Sequence, residues 1–401
     1  MLRLLHHLIL PAMALSFCAT SAFAEEEATF WRLFVADHAK PLVTAIDLGT
    51  DQVSGSFELG SPASLYTTPS KAAVYAVQGE ADRVSAIASG IALGDHGDHA
   101  DLEVSAPKLL DANVTGDKPV HFVEHHGDIA LFFDGEGVAR LLSEKDWLGG
   151  DAATRDLKVA APHHGVAAPL GQYTLISRPS AEDPKALPVG IDVYGADGTT
   201  IGDLHACPDL HGEASSGDTL AIACAAGLLL VKAAKDGPEL QLLPYSTSLP
   251  EGKSTTLLGG VAMQYWLGNY GADRVAIIDP SAAEPFRLVD LPSRRVHFAI
   301  DPQRVKYAYV FTEDGALHRL DVVSGAIDKT LQLTEPYSMD REWSLPRPRL
   351  AVAGDHIAVT DPLAGAIHLV DAESFTLARD IAVAGAPYNI VAVGGSGATH
   401  E

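Results

Sequence analysis

The sequence predicts an all-β protein that folds as a single β-propeller of about eight four-stranded blades. Short segments of alternating apolar and polar residues, each followed by turn residues, recur about every 45 residues, which is a blade-sized period. Two short sequences also repeat in the same setting: residues 315–321 (GALHRLD) recur as 365–371 (GAIHLVD), and residues 81–84 (ADRV) recur at 272–275. No segment has the pattern of an amphipathic helix of three turns, so strands dominate the prediction.

The number of blades follows from the second strand of each blade, which has the clearest pattern. We expect that strand near residues 73–78, 129–133, 173–177, 219–224, 262–266, 307–311 and 357–360. Two strand-like segments remain, Trp31–Val35 and Tyr388–Val393, and the second has the pattern of an innermost strand. We expect these two segments to share one blade and close the ring, which gives eight blades. Seven blades is the alternative, because residues 250–265 form the least regular stretch.

The first residues have the pattern of a secretory signal peptide. Arg3 gives a short positive region, an apolar run begins at Leu8, and the small residues up to Ala24 match a cleavage site. The apolar run is too short to span a bilayer, and no later stretch is long enough. We therefore expect residues 1–24 to be cleaved and residues 25–401 to form the propeller domain, which is soluble outside the cytoplasm without membrane insertion.

The composition favours a cationic partner. The formal net charge is −24 at pH 7, with 52 acidic against 28 basic side chains. This surplus of carboxylates argues against binding to nucleic acid or to anionic membrane surfaces. It suits a cation or a basic protein surface.

Two cysteines remain after the predicted cleavage, Cys207 and Cys224. An oxidising compartment and their short separation favour a disulfide between them. The alternative is that both bind a metal, but their spacing matches no zinc-ribbon pair. On the chain-entropy model, such a disulfide stabilises a fold by about 3 kcal/mol.

Histidines recur at one place in the repeat. In four blades a histidine stands about six to eight residues before the turn that follows the innermost strand, and these residues are His121, the adjacent pair His163 and His164, His211, and His297. Equivalent positions on innermost strands form a ring around the mouth of the central channel. Three imidazoles from neighbouring blades can therefore share one metal ion, with bonds of about 2.0–2.1 Å.

We predict a metal site formed by His121, His164 and His211. Further candidate ligands lie in the same stretches or in the same register, and these are His163, Glu124, His125, His126 and His297. Imidazole suits zinc, copper and nickel, and intrinsic affinity favours copper over zinc, so the residue types leave the metal open. Which histidine of each adjacent pair binds is also open. For the histidines outside this set we expect structural roles, as for His38, His318, His356 and His368.

A second acidic and histidine-rich segment lies between two strands. It reads Asp95-His96-Gly97-Asp98-His99-Ala100-Asp101. Two imidazoles with nearby carboxylates can collect a divalent cation, although ordering such a loop costs conformational entropy. We interpret it as a secondary metal-collecting loop, with a solvated acidic loop as the alternative. Its ligand spacing is not that of an EF-hand, so calcium is not indicated.

Catalytic motifs are absent from the sequence. It has no G-x-S-x-G elbow, H-E-x-x-H pair, P-loop or dinucleotide fingerprint. We therefore predict no catalytic residues and no enzymatic activity. Two alternatives remain open: a metal-dependent hydrolase of the lactonase type on a propeller, and a protein-interaction scaffold.

Four short motifs resemble those of a known family. They are Asp95-His96-Gly97-Asp98-His99, Pro119-Val120-His121-Phe122-Val123-Glu124-His125-His126, Pro162-His163-His164-Gly165 and Cys207-Pro208-Asp209-Leu210-His211-Gly212. The chain resembles the AztD family of periplasmic zinc metallochaperones, which are encoded with bacterial zinc ABC importers, over most of its mature length. The resemblance implies that the protein binds Zn2+ in the periplasm and transfers it to the importer's solute-binding protein. It also implies that the disulfide and the channel site belong together.

Overall fold

The computed structural model describes residues 27–95, 100–338, 340 and 345–398. In this part of the chain the strands form eight four-stranded blades, so the predicted all-β propeller is confirmed and the alternative of seven blades is wrong. The predicted signal segment, residues 1–24, lies outside the described residues.

Three blades follow one another in the first half of the propeller, each running from its innermost to its outermost strand. Blade 2 contains β4 (Ser64–Thr67), β5 (Ala73–Gln78), β6 (Arg83–Ala88) and β9 (Lys108–Thr115); blade 3 contains β10 (Pro119–His125), β11 (Asp128–Phe133), β12 (Val138–Ser143) and β13 (Arg155–Lys158); blade 4 contains β14 (Ala167–Leu170), β15 (Tyr173–Arg178), β16 (Gly190–Tyr194) and β17 (Thr200–Ala206).

Four further blades continue the ring in the same manner. Blade 5 contains β18 (Glu213–Ser216), β19 (Thr219–Cys224), β20 (Gly227–Ala234) and β21 (Gly237–Pro244); blade 6 contains β22 (Leu257–Leu258), β23 (Trp266–Tyr270), β24 (Arg274–Ile278) and β25 (Phe286–Asp290); blade 7 contains β26 (Arg295–Ile300), β27 (Tyr307–Thr312), β28 (Ala316–Asp321) and β29 (Ala326–Gln332); blade 8 contains β30 (Leu350–Ala353), β31 (His356–Asp361), β32 (Ala366–Asp371) and β33 (Thr376–Ala382).

Blade 1 closes the ring by combining the first strands of the propeller with the last. Its order from the channel outwards is β34 (Pro387–Ala398), β1 (Glu27–Asp37), β2 (Leu42–Asp47) and β3 (Gln52–Glu58). The antiparallel pairing of β1 with β34 extends from Glu27 opposite Ala398 to Asp37 opposite Pro387. The predicted sharing of one blade by the two terminal strands is therefore confirmed.

The repeated sequences occupy equivalent places in the blades. The GALHRLD and GAIHLVD segments enter β28 and β32, and the two ADRV segments enter β6 and β24. All four of these are the third strand of their blade. The repeat therefore reflects one position in a common structural unit.

The second strand of blade 6 does not lie where the sequence predicted it. The prediction placed it at residues 262–266, but β23 begins at Trp266. Residues 259–265 form a loop in which Val261 is 74% exposed, so its apolar side chain is not part of a strand face. Gly259 packs directly against the backbone of Ser215 in blade 5, where no side chain would fit. The close approach of blade 5 shortens β22 and delays β23.

The apolar core is divided among the interfaces between blades. Eight clusters of buried residues occur in the described part of the chain; seven join two neighbouring blades, and one also includes Val123 of a third blade. Between blades 2 and 3, for example, Tyr75 stacks on Phe122 with ring centroids 4.7 Å apart. Because each sheet buries both faces against its neighbours, its central strands read as nearly continuous apolar runs.

Two elements are added to the blades. A short helix, α1 (Glu144–Leu148), follows β12 and is capped by Ser143, whose side chain accepts a hydrogen bond from the backbone of Asp146. A hairpin of β7 (Ile91–Asp95) and β8 (Ala100–Val104) joins the end of β34 through one parallel pair. Its predicted metal-collecting residues His96, Asp98 and His99 lie outside the described residues. Among the helices that are described, none has the length and apolar character to cross a membrane.

Candidate metal centre

Three predicted ligands lie together at one mouth of the channel. His121 is the third residue of β10, while His164 and His211 lie just before β14 and β18. Because the innermost strands of a propeller all run in the same direction, these three positions share one face of the ring. We call the face where innermost strands begin the front face, and the opposite one the back face. The three imidazoles therefore come from the neighbouring blades 3, 4 and 5.

The spacing of the three rings suits one tetrahedral ion. The ring centroids of His121 and His164 are 5.1 Å apart, those of His164 and His211 are 5.3 Å apart, and those of His121 and His211 are 6.3 Å apart. A tetrahedral zinc ion with bonds of about 2.0–2.1 Å would hold ring centroids about 5.2 Å apart. Two of the three separations match this value, and the third is about 1 Å longer than such an ion requires.

Two of the rings are oriented by hydrogen bonds from their second nitrogen. His164 Nδ1 donates to Asp134 Oδ2 at 2.8 Å, and His211 Nδ1 donates to the carbonyl of Thr255 at 2.8 Å. No hydrogen bond to either Nε2 is formed within the described residues. Metal-binding histidines typically show this arrangement, because an acceptor on one nitrogen fixes the tautomer and directs the other nitrogen to the metal.

Glu213 completes the group with a carboxylate. Its Oε1 lies 3.3 Å from His121 Nδ1, and its Oε2 is buried without a hydrogen-bond partner in the described part of the chain. Adjacent ligand atoms on a tetrahedral zinc ion are also about 3.3 Å apart. A buried carboxylate oxygen without a partner is costly, so this atom is suited to accept a cation.

The charges around the cluster act on its imidazoles in opposite directions. Burial opposes protonation of His121, but the adjacent Glu213 carboxylate outweighs this effect and raises the pKa of His121. Burial lowers the pKa of His211, and the neighbouring His164 and His121 act in the same direction. Burial, with the Glu213 charge as a second cause, raises the pKa of Tyr66 to about 12. The negative charge of Glu213 thus acts on His121, His211 and the nearby Tyr66.

The side chains of His121, His164, His211 and Glu213 do not enclose a metal ion in this arrangement. No three His, Cys, Asp or Glu side chains within the described ranges converge closely enough to hold a metal as they stand. His121 and His211 are the most widely separated pair, and His121 Nδ1 faces Glu213.

Comparison with known proteins places this chain in a family. No family model matches the chain. The zinc chaperone AztD of Citrobacter koseri is 51% identical to it over 379 residues, which cover 94% of this chain and 90% of that protein. The chain belongs to the AztD family. The predicted resemblance is therefore confirmed.

Solved structures of the AztD family share the fold over nearly the whole propeller. The crystal structure of Citrobacter koseri AztD matches with a TM-score of 0.91 and 50% identity, over 93% of this chain and all 100% of that chain. The structure of apo AztD from the same organism matches with a TM-score of 0.88 and 49% identity, over 92% of this chain and 98% of that one.

In this AztD-family chain, the two histidines of one adjacent pair have different surroundings. His163 is 4% exposed, its Nδ1 donates to the Ala161 carbonyl at 3.0 Å, and its Nε2 lies 2.8 Å from Ser177 Oγ. Both of its nitrogens are therefore engaged, which leaves only His164 facing the cluster. Gly165 allows this arrangement, because a Cβ there would lie 2.5 Å from His163 Nε2 and 2.5 Å from Ser177 Oγ.

The segment before β18 is fixed by the predicted disulfide. Cys207 and Cys224 are bonded, with Cα atoms 5.0 Å apart, which confirms the prediction. The backbone N–H of His211 donates to the Ala223 carbonyl at 3.1 Å, beside the second cysteine. Gly212 has a φ of +86° and packs against the backbone of Thr255, so it combines a left-handed conformation with a close approach. These contacts place His211 at the channel.

His297 occupies the predicted register but lies across the channel. It stands opposite Phe311 just after a bulge, as His121 stands opposite Phe132 just after a bulge. The two histidines belong to blades 7 and 3, which are half a turn apart in a ring of eight. Burial and two nearby arginines, Arg349 and Arg295, lower the pKa of His297 well below its usual value. The structure therefore does not bring His297 to the cluster.

The remaining candidates lie at the back end of β10. Strand geometry places His125 about 13 Å from His121, because each residue advances about 3.3 Å. The rings of His125 and His126 are in contact with centroids 4.2 Å apart, and both ring nitrogens of His125 are buried without a partner among the described residues. Glu124 accepts a hydrogen bond from the Gly127 backbone at 2.7 Å. These three residues are separated from the front cluster.

Sequence reasoning missed Glu213 and the residues that orient the rings. Glu213 follows His211 by two positions and is the first residue of the innermost strand β18. That signal was present in the sequence. Asp134 and Thr255 lie on neighbouring blades, so no spacing along the chain connects them with His164 and His211.

Proposed function

We propose that this protein is a zinc chaperone that binds Zn2+ at the front mouth of its channel with His121, His164, His211 and Glu213. The observation that supports this most strongly is a cluster of three imidazoles, two pairs of which have the spacing of a tetrahedral ion, beside a buried carboxylate oxygen that has no partner among the described residues. A His3Glu donor set suits zinc. The name of the AztD relative, a zinc chaperone, supports the same conclusion.

The position of the cluster suits transfer of zinc to another protein. The His164 side chain is 36% exposed, so it faces solvent at the channel mouth. A ligand from an acceptor can therefore replace one ligand at a time. We propose that the acceptor is the periplasmic solute-binding protein of a zinc ABC importer.

We propose that the protein acts in the periplasm. Residues 1–24 would direct export and be removed, and residues 25–401 would form the mature propeller domain. The disulfide between Cys207 and Cys224 supports this location, because such bonds persist in oxidising compartments.

We also propose that the segment at residues 95–101 is a secondary zinc-collecting site. Its strands β7 and β8 are anchored at the end of β34, hence at the back face of the ring. His125 and His126 end β10 at the same face, so they are placed to assist it. Substituting His96 and His99 with alanine would then lower zinc stoichiometry without changing affinity at the front cluster.

Zinc affinity measured by chelator competition tests the front cluster. Loss of a group that only orients a ligand weakens metal binding about 10–100-fold. We expect His121→Ala, His164→Ala and His211→Ala each to weaken zinc binding by more than this. Asp134→Asn should fall within that smaller range, because it removes only the acceptor for His164. Glu213→Gln should resemble the histidine variants, because it removes a ligand.

A matched control is His356→Ala, a half-buried histidine on blade 8 whose side chain forms no hydrogen bond among the described residues. It should keep wild-type affinity. Wild-type affinity in all three cluster variants would refute the site. A protein that binds no zinc at micromolar concentration would refute the chaperone function as well.

Transfer is tested by mixing the zinc-loaded protein with an apo solute-binding protein of a zinc importer. Direct transfer predicts a rate that rises with acceptor concentration and exceeds the rate at which zinc dissociates. A chelator of equal affinity serves as the control acceptor. Zinc gain by the binding protein no faster than by the chelator would contradict direct transfer.

A further inference from the structure

A cavity of about 540 Å3 opens at the front face across blades 1, 2 and 3. Its walls are the turn after β1, the segments that enter β4, β10 and β34, and the turn between β5 and β6. All of these segments lie at the front face, and three of them begin innermost strands. The cavity therefore adjoins the channel mouth, and its wall includes Val120, the residue before His121.

Much of the cavity wall is apolar. The apolar side chains that line it are Pro62, Ala63, Val77, Pro119, Val120 and Tyr388. The Tyr388 ring is fixed in place, because Arg349 donates to its hydroxyl at 2.6 Å and the His38 ring meets it nearly at right angles, with centroids 5.0 Å apart. Sites for small molecules typically combine such an apolar wall with a few polar groups.

Four polar side chains line the same cavity and form no hydrogen bond or ion pair with the described residues. They are those of Glu80, Lys118, His38 and Asn389. Asp37 also lines the cavity, but its carboxylate already accepts hydrogen bonds from the backbone N–H groups of Ala39, Lys40 and Ala386. One ammonium, one carboxylate, one imidazole and one amide therefore remain available to a ligand.

The two charged side chains have opposite signs but do not pair with each other. Glu80 and Lys118 both line the cavity and are exposed, so both can be reached from solution. A ligand with a carboxylate toward Lys118 and an ammonium toward Glu80 would form a charge-assisted hydrogen bond with each. A simple anion would instead face the Glu80 carboxylate, and a simple cation would face the Lys118 ammonium. The charges therefore favour a zwitterion.

The backbone of Lys118 is held in an unusual conformation. Its φ is +56°, in the left-handed region that favours glycine. Its N–H donates to Asp82 Oδ1 at 2.9 Å, and its carbonyl accepts from the backbone N–H of Asp134 at 2.9 Å. Such strained positions cluster at ligand sites. The two hydrogen bonds fix the point from which the lysine side chain extends, which lowers the cost of ordering it around a ligand.

We propose that this cavity binds a free α-amino acid as a zwitterion, with the ligand's carboxylate on Lys118 and its ammonium on Glu80. The ligand's side chain lies along the apolar wall, and His38 and Asn389 offer further hydrogen bonds. The volume of the cavity is typical of sites for small solutes. This proposal does not depend on the proposed zinc function.

Calorimetric titration of the zinc-free protein with L-leucine tests the site. We expect one saturable site with a Kd below about 1 mM. Leucinamide lacks the carboxylate and isocaproate lacks the ammonium, so each should bind at least about 10-fold more weakly, because a hydrogen bond between charged groups is lost. L-Phenylalanine should bind more tightly than L-aspartate, because its side chain can be buried against the apolar wall.

Variants of the two charged residues test the assignment. Lys118→Gln and Glu80→Gln should each weaken leucine binding at least about 10-fold. The matched controls Lys108→Gln and Glu58→Gln remove exposed charges that do not line the cavity, so they should leave leucine binding unchanged. Circular dichroism verifies that each variant is folded. Absence of saturation by leucine and phenylalanine up to about 10 mM, equal affinity for leucine, leucinamide and isocaproate, or equal losses in the cavity and control variants would overturn the proposal.

Discussion

At the residue scale, the role of each channel histidine depends on what holds its second nitrogen. His164 and His211 each donate from Nδ1 to a fixed acceptor, which leaves Nε2 for a ligand. His163 uses both nitrogens within the protein. His297 accepts at Nδ1 and therefore presents a donor. The channel histidines thus differ in which ring nitrogen they leave free and in whether that nitrogen can accept or donate.

A histidine outside the channel allows a prediction about pH. His368 Nε2 lies 3.2 Å from Asp361 Oδ2, and its Nδ1 lies 2.6 Å from Asp380 Oδ1. The Asp361 hydrogen bond raises the pKa of His368 despite its burial. Burial alone would raise the pKa of Asp361, but bonds from His368 and Tyr337 lower it to about 2.

These shifts set the pH range in which the contact stabilises the fold. Since the folded pKa of His368 lies above its usual 6.5, the stabilisation is full below that pH and is lost as pH rises through the folded pKa. We expect His368→Asn to lower the free energy of unfolding by about 1.5–3 kcal/mol near pH 5.5 and by less near pH 8.5. Urea denaturation at both values measures this, with His356→Asn as control. An equal effect at both values would contradict it.

The sequence could predict the three clustered rings but not their surroundings. A register counted along the chain identifies residues at one level of the ring, which is how His121, His164 and His211 were found. The register does not specify the position of a residue around the ring. His297 therefore shares the register of the other histidines but lies on the opposite side of the channel. Glu213 of blade 5 contacts His121 of blade 3. This contact forms only because the closed ring brings the two blades together at the channel.

At the element scale, the link between β17 and β18 is a loop that is held rigid at the position of His211. The disulfide ties Cys207 in this link to Cys224 at the end of β19, and both are fully buried. Backbone hydrogen bonds of His211 and Gly212 with Ala223 continue the ladder of β18 toward the channel. The disulfide and these backbone hydrogen bonds therefore both hold the segment that carries His211.

Removal of this disulfide should affect both stability and metal binding. We expect Cys207→Ser with Cys224→Ser to lower the free energy of unfolding by about 3 kcal/mol, because the unfolded chain is no longer constrained. Zinc affinity should fall as well, because His211 follows Cys207 by four residues. Urea denaturation and chelator competition measure the two effects, and reduction of the wild type with a thiol should reproduce them. If the folded double variant kept wild-type zinc affinity, the segment between β17 and β18 would be rigid without the disulfide.

Strand patterns predicted the blades well where neighbouring blades pack evenly. The second strands of blades 2 to 5, 7 and 8 lie within one residue of their predicted positions. Blade 6 differs, because its second strand was predicted at residues 262–266 but begins only at Trp266, and Met263 lies in a loop. Contact between Gly259 and blade 5 determines that loop, and a contact between blades has no signature in the local sequence.

At the scale of the whole molecule, eight blades give the channel two opposed walls. Blades 3 to 5 carry imidazoles and a carboxylate, whereas blades 7 and 8 carry Arg295 and Arg349, which form hydrogen bonds but no ion pair with the described residues. An even number of blades places blade 3 directly opposite blade 7.

The pairing of β1 with β34 has a consequence for chain topology. Glu27 and Ala398 stand opposite each other, so a short Gly-Ser linker could join these positions into an ordinary hairpin. New ends could then be opened in the exposed segment 181–186, outside the strands. We expect this circular permutant to fold with a Tm within about 10 °C of the parent and with the same zinc affinity. A permutant that remains unfolded would instead show that blade 1 must be assembled from separate ends.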